Sequence, residues 1–317
     1  MSKEHRVSRR ALLAGGVAAG AGVWAVERFG RVQAEVPRKR LKNRALLDKR
    51  RLAVVKGADP RRMVRRAVGE AIGGMDKLVG RGDRVVIKPN MSWDRSPALA
   101  ANTNPAVVAG LVAMCVEAGA RTVDVLDHTC NTDPRVTYAA SGIAAAARAA
   151  GARIRMVRPG DFVTVDVEGG RRVRRWPYLQ DVLACDVLIN AAVAKHHTTS
   201  KLTMVLKNSF GMVGGDRGRL HRNIHETIPD IAGGAKADLA VLDAFRILTA
   251  HGPTGGNPDD VREPRLVAAC ADPVAVDAWG ATLFGHKPWE IGFIANAADR
   301  GMGEADFRKI MGPVTGA

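Results

Sequence analysis

The chain has 317 residues, 46% of them hydrophobic and 25% charged, which suits the buried core of one large domain or two lobes and excludes a disordered chain. Forty-eight Lys and Arg against 32 Asp and Glu give a formal charge of +16 and point to an anionic partner. Seven Phe and two Tyr leave little stacking surface for single-stranded nucleic acid, so nucleic acid is not the partner expected.

At the N-terminus, Val7-Ser8-Arg9-Arg10-Ala11-Leu12-Leu13 places paired arginines ahead of a weakly apolar run that extends to Val26, and Val32-Gln33-Ala34 offers a cleavage site. This order predicts a twin-arginine signal peptide over residues 1–34, with the twin-arginine translocase as partner and the periplasm or cell envelope as destination. The apolar run falls short of the roughly 20 residues that span a bilayer, although an uncleaved anchor is the alternative. Removing residues 1–34 takes away six basic and two acidic side chains and leaves a charge of +12. Much of that charge lies in residues 35–51, a basic tether suited to a membrane surface of anionic lipid.

Beyond the tether, residues 52–57 read as a strand and residues 60–79 as a helix closed by Gly80. Residues 84–90 form a β-branched run stopped by Pro89, Asn104-Pro105 opens a helix reaching Gly119, and residues 122–127 are a third strand. Residues 136–150 read as one helix and residues 153–157 as a strand. Residues 161–167 and 171–176 flank Gly169-Gly170 as a hairpin. Residues 186–190 are a buried strand, 199–212 and 224–232 helices, and 238–242 a strand. Strand 266–270 and helix 273–284, with Asp272 as N-cap, complete the pattern. Alternating strands and helices over residues 52–317 predict an α/β fold, a mostly parallel sheet with helices on both faces and one unit or two lobes around a cleft.

In such sheets ligands sit beyond the carboxyl ends of the strands. Lys88 and Asn90 follow one strand there, and Asp127 another. The densest polar stretch, Lys195 to His225, holds four of the eight histidines together with Lys207-Asn208. On a helix over 199–212, Thr203 and Lys207 share a face near Thr199 at the helix start, an arrangement for an anion. His196, His197, His221 and His225 form a candidate set for a divalent metal, His221 and His225 standing at helical i, i+4 spacing. Substrate contact and a purely structural role are the competing readings of these histidines. The four cysteines contain no Cys-x-x-Cys pair, so no iron–sulfur ligand run or zinc ribbon can be written.

From about Gly82 to Gly303 the sequence resembles the family catalogued as domain of unknown function 362. The resemblance rests on Val86-Ile87-Lys88-Pro89-Asn90, Thr103-Asn104-Pro105, Ser141-Gly142-Ile143, Lys195, His197, Lys207-Asn208, Phe210-Gly211, His221, Gly252-Pro253 and the segment from Asp272 to Asp277. It implies no defined activity. Some members are linked to iron–sulfur chemistry through an added ferredoxin-like cysteine segment; this sequence has none, so a cluster of its own is not expected. It also implies that Asp277 is a site or supporting carboxylate.

The expectation that follows is an exported enzyme acting on a small anionic substrate, with His197, His221, Lys88 and Lys207 as catalytic groups and His196 and His225 as candidate ligands of a divalent metal. Asn90, Thr199, Thr203, Asn208, Asp127 and Asp277 are the expected substrate-binding residues. The alternative is a non-catalytic exported protein that binds or matures a metal or cofactor; a third, an envelope-attached interaction protein, rests on the basic tether alone.

Overall fold

A computed structural model describes residues 51–130 and 133–317. The expected signal peptide and all of the tether except Arg51 lie outside the described residues. The chain enters as strand β1 (Leu52–Lys56), helix α1 (Pro60–Ile72), β2 (Arg84–Pro89), α2 (Pro105–Glu117), β3 (Thr122–Val125), α3 (Pro134–Ala140), α4 (Ile143–Ala149) and β4 (Arg153–Ile154). The hairpin β5 (Phe162–Asp166) and β6 (Arg175–Leu179) and helix α5 (Gln180–Ala184) lead to the long strand β7 (Val187–His197). Then follow β8 (Lys201–Thr203), the short α6 (Val205–Asn208), α7 (Ile224–Gly234), β9 (Leu239–Leu248), β10 (Val261–Arg262), β11 (Leu266–Cys270), α8 (Pro273–Thr282), α9 (Gly292–Asp299) and β12 (Met311–Gly316).

The main sheet runs in the order β12-β1-β11-β9-β7-β2-β3-β4. From β9 to β4 every neighbouring pair is parallel. Only β11 opposes this direction along the path, pairing antiparallel with both β1 and β9. Both faces are covered, as a parallel sheet requires. Val85, Ile87, Val123 and Ile189 pack on one side with residues of α1, α2 and α4, and Val86, Leu188, Ala192 and Leu242 on the other with residues of α7, α8 and α9. The described residues belong to one unit, and among them no helix is long and apolar enough to cross a membrane.

Four helices start by one device. Asp59, Asn104, Asp133 and Asp272 each accept a backbone N–H from the first helical turn and are each followed by proline. The side chain satisfies a donor that the helix itself cannot, and proline supplies a preset φ where no N–H is needed.

Four expected elements differ. The helix expected over 60–79 ends at Ile72 and is closed by Gly73. The helix expected over 136–150 is two helices, broken where Gly142 takes a φ of 69°, a left-handed conformation. The largest change concerns residues 191–212: the strand expected to stop at Asn190 continues to His197, turns through Thr198–Ser200 and returns as β8. The helix expected over 199–212 is reduced to α6 and a following 3-10 turn, Ser209–Met212. Ala191 to Ala194 are buried on both faces of the sheet, and a strand covered on both sides carries no alternation to distinguish it.

Candidate functional site

Sheet connectivity reverses at β2. The strands β3 and β4 are added on one side of it and β7 and β9 on the other. The crevice beyond the carboxyl ends of β2 and β7 is therefore the topological switch point, where open α/β sheets bind ligands. Polar side chains collect there because the backbone of β7 outruns β2: Lys88 pairs in register with Asn190, leaving Lys195 and His197 to project past the end of β2.

The site contains three buried lysines in different states. Lys88 Nζ forms an ion pair with Asp127 Oδ1 at 2.7 Å and donates to the Pro89 carbonyl at 2.8 Å and to Asn208 Oδ1 at 2.7 Å. Its charge is thus matched by a carboxylate and two of its three protons are hydrogen-bonded. Burial lowers the Lys88 pKa while Asp127 opposes that shift. Asp127 Oδ2 accepts in turn from the Met91 N–H and the Ser92 hydroxyl. Lys195 Nζ is likewise filled, reaching the Ala101 carbonyl at 2.5 Å, the Pro253 carbonyl at 3.1 Å and Asn90 Oδ1 at 3.3 Å. Burial pulls it down to about 7.

Lys207, on α6, is buried too, yet no acceptor among the described residues takes a hydrogen bond from its Nζ; the ammonium lies 4.0 Å from the centre of the Phe210 ring. Burial lowers its pKa to about 8; the nearby Cys130 opposes the shift, and the charges of Arg217 and Lys88 add to it. Thr203 Oγ1, on the strand residue opposite Lys195, is also buried without a partner. Asn208 links the strands: its Nδ2 donates to Asn190 Oδ1 at 2.7 Å, and its Oδ1 accepts from Lys88 and from Asn90 Nδ2 at 3.0 Å.

The imidazoles of His197 and His221 stack with ring centres 6.2 Å apart. His197 Nδ1 accepts the N–H groups of Thr199 and Ser200 at 3.1 and 3.4 Å, so its neutral ring carries the proton on Nε2. Burial, with Lys207 and Lys195 nearby, lowers its pKa to about 3. His221 Nδ1 lies 3.0 Å from the Arg217 carbonyl, which can only accept, so the proton is on Nδ1 and the Nε2 lone pair is free. Burial and Lys207 lower this pKa as well. Arg217 donates to the carbonyls of His128 and Thr129 at 2.7 and 2.6 Å, fixing the loop after β3.

The fold thus brings together Lys88, Asn90, Asp127, His197, Lys207, Asn208 and His221, with Thr203 beside them. Four other expectations change. Thr199 lies in the exposed turn between β7 and β8 rather than at a helix start, and takes part through its N–H to His197. Asp277 is wholly buried beneath the site, where it accepts the Val205 and Leu206 N–H groups at 2.8 and 2.9 Å and so holds the start of α6; burial raises its pKa to about 8. His221 ends a 3-10 turn and His225 lies in α7, so they do not share a helical face; His225 stacks on Phe293 instead. His196 Nδ1 accepts the Gly252 N–H at 3.1 Å.

Lys195, which heads the densest polar stretch of the sequence, belongs to the site as well, as do Asn190 and Arg217. An asparagine ending an apolar strand was the available signal for Asn190. For Arg217, on a glycine-rich loop, there was none.

The family model described as Domain of unknown function (DUF362) matches residues 85–282. That span contains every site residue named above. A thylakoid-associated protein of Synechocystis sp. is 30% identical over 220 residues, 67% of this chain and 66% of the relative, so the match spans just under two thirds of the relative's length. Among solved structures, the lactate racemase apoprotein from Thermoanaerobacterium thermosaccharolyticum aligns with a TM-score of 0.43 and 11% identity over 73% of this chain and 56% of that one.

Proposed function

This chain belongs to the DUF362 family, and from that premise we propose that it is an enzyme acting on a small anionic substrate at the β2–β7 switch point. The observation that carries the reading is the contrast among the lysines: Lys88 is paired with Asp127 and donates to two further oxygens and Lys195 has all three donors filled, while among the described residues no acceptor takes a hydrogen bond from the buried Lys207 ammonium. A buried cation without a counter-charge is costly, and a bound anion removes the cost. In this reading Lys207 and the unpartnered Thr203 hydroxyl hold the anionic group. His221 takes a proton through its free Nε2 lone pair, and neutral His197 donates a hydrogen bond from Nε2 to charge that develops on the substrate. Lys88 and Lys195 set the positive field and the geometry.

A divalent metal fits this arrangement poorly. His196 spends its Nδ1 on Gly252, and among the described residues no group of three or more His, Cys, Asp or Glu could hold an ion. Export by the twin-arginine route, with residues 35–51 lying against anionic lipid, is part of the same proposal and rests on the sequence of the N-terminus.

The test is a panel of small carboxylates and phosphate esters added to the protein, read by the imidazole NMR signals of His197 and His221 and by substrate turnover. At least one panel member should move both signals in the wild type and neither in a folded Lys207→Met variant. An identical response in the two proteins would remove Lys207 from anion binding.

A further inference from the structure

A cavity of about 280 Å3 lies behind α6. Its volume is near the lower end of the roughly 300–1,000 Å3 typical of small-molecule sites. Val205, Leu206, Ala232, Ala235, Pro273 and Met302 give it an apolar lining. The polar groups are Asn190 and Ser209 toward the sheet, Asp272, Arg300 and the exposed Lys236.

The charges around this cavity are unevenly committed. The Asp272 carboxylate accepts three backbone N–H groups, from Val274, Ala275 and Glu304. Arg300 is paired with Asp230 and the Glu226 carbonyl, while its Nε has no acceptor among the described residues. Lys236 is in none of the ion pairs among the described residues. A ligand entering here meets an apolar wall with an uncommitted cation beside it, and the one carboxylate that lines the cavity is already solvated by backbone.

The cavity also touches the machinery described above. Val205 and Leu206 line it, and the next two residues of the same short helix are Lys207 and Asn208. Asn190, on its sheet side, accepts a hydrogen bond from Asn208, which in turn accepts from Lys88. One four-residue helix therefore presents one side to the cavity and carries the free ammonium of the switch-point site.

We propose that the cavity lined by Leu206, Met302 and Lys236 is a second binding site, for a short aliphatic carboxylate, and that its occupancy acts on the switch-point site through α6. The binding part stands without the proposed function; the effect on Lys207 rests on that reading. The apolar tail takes the Val205, Leu206 and Met302 wall and the carboxylate meets Lys236, a charge-assisted contact at the solvent edge.

Hexanoate, with hexanol as the uncharged control, tests this by the methyl NMR signal of Met302. Hexanoate should shift the signal to saturation and hexanol should bind more weakly. Lys236→Glu, a surface change that leaves the fold intact, should weaken hexanoate about tenfold or more. Ala235→Leu, which fills part of the cavity, should abolish the shift; should that variant not fold, the charge reversal at Lys236 decides alone. No shift at Met302, or equal binding by Lys236→Glu, overturns the site. Hexanoate is itself an anion, so Lys207→Met separates the two sites: a Met302 response that survives this change belongs to the cavity, and one that vanishes with it overturns the cavity. In the wild type, hexanoate should also move the His197 and His221 signals, and at the same concentration it should not do so in Lys236→Glu; a Met302 response without them, or His197 and His221 shifts that Lys236→Glu leaves unchanged, retains the site and overturns its effect on α6.

Discussion

The stacked rings of His197 and His221 have opposite hydrogen-bonding character at Nε2. The two N–H groups that His197 accepts make it a donor there, and the Arg217 carbonyl makes His221 an acceptor. A complementary donor and acceptor on neighbouring rings suit proton transfer, and both rings are kept neutral by burial among cations. His221→Ala should therefore abolish turnover of any substrate the panel identifies, with binding reduced far less, read as a fall in kcat at nearly constant KM.

The depressed pKa of His197 has a consequence for acid stability. The unfolded chain takes up this proton near 6.5, the folded protein only near 3. The contribution is complete above 6.5 and is lost as pH falls from 6.5 toward about 3. Urea midpoints measured across that range should decline in the wild type, and His197→Gln should flatten the decline.

Lys207 acts in the other direction. Its ammonium is harder to maintain in the folded protein, where its pKa is about 8, than in the unfolded chain at 10.5, so this group's penalty is full below about 8 and is relieved as pH rises toward 10.5. Lys207→Met should raise stability at pH 7 by about 1–3 kcal/mol while removing anion binding. A variant less stable than the wild type would show that Lys207 has a partner in solution.

Breaking the pair of Lys88 and Asp127 leaves an uncompensated charge in a site where both side chains are almost wholly buried. Lys88→Met or Asp127→Asn alone should cost about 3–5 kcal/mol, and the double variant should recover part of the loss. A denaturant double-mutant cycle measures the coupling. Additive losses would mean that the two side chains do not act as a pair.

Gly211 covers that pair so closely that a Cβ would collide with both Asp127 and Lys88. Gly211→Ala should destabilise the protein by about 1–3 kcal/mol, as overpacking does. The same cost in a Lys88→Ala, Asp127→Ala background, which removes the atoms that the Cβ would meet, would place the obstruction elsewhere.

The elements that were legible in the sequence are those whose signals are local. Asn104-Pro105 and Asp272-Pro273 announce helix starts through the donor each side chain satisfies, and the β-branched run that ends at Pro89 marks a strand with Lys88 and Asn90 at its end. The course of residues 191–212 was not legible. A strand buried on both faces has no alternation, and α6 is too short to show a helical period.

The sequence by itself determined the parallel α/β fold and its membership of a family, because strand runs, caps and motifs are written in neighbouring residues. Only the tertiary structure decided the roles of the polar residues. Lys88 and Asn208 are 120 positions apart and Lys195 and Ala101 are 94 apart, so which ammonium is saturated depends on acceptors brought in from other strands. Lys207 is left without an acceptor among the described residues for the same reason: a lysine's state is set by what the fold places within hydrogen-bond reach of it, and no local spacing records that.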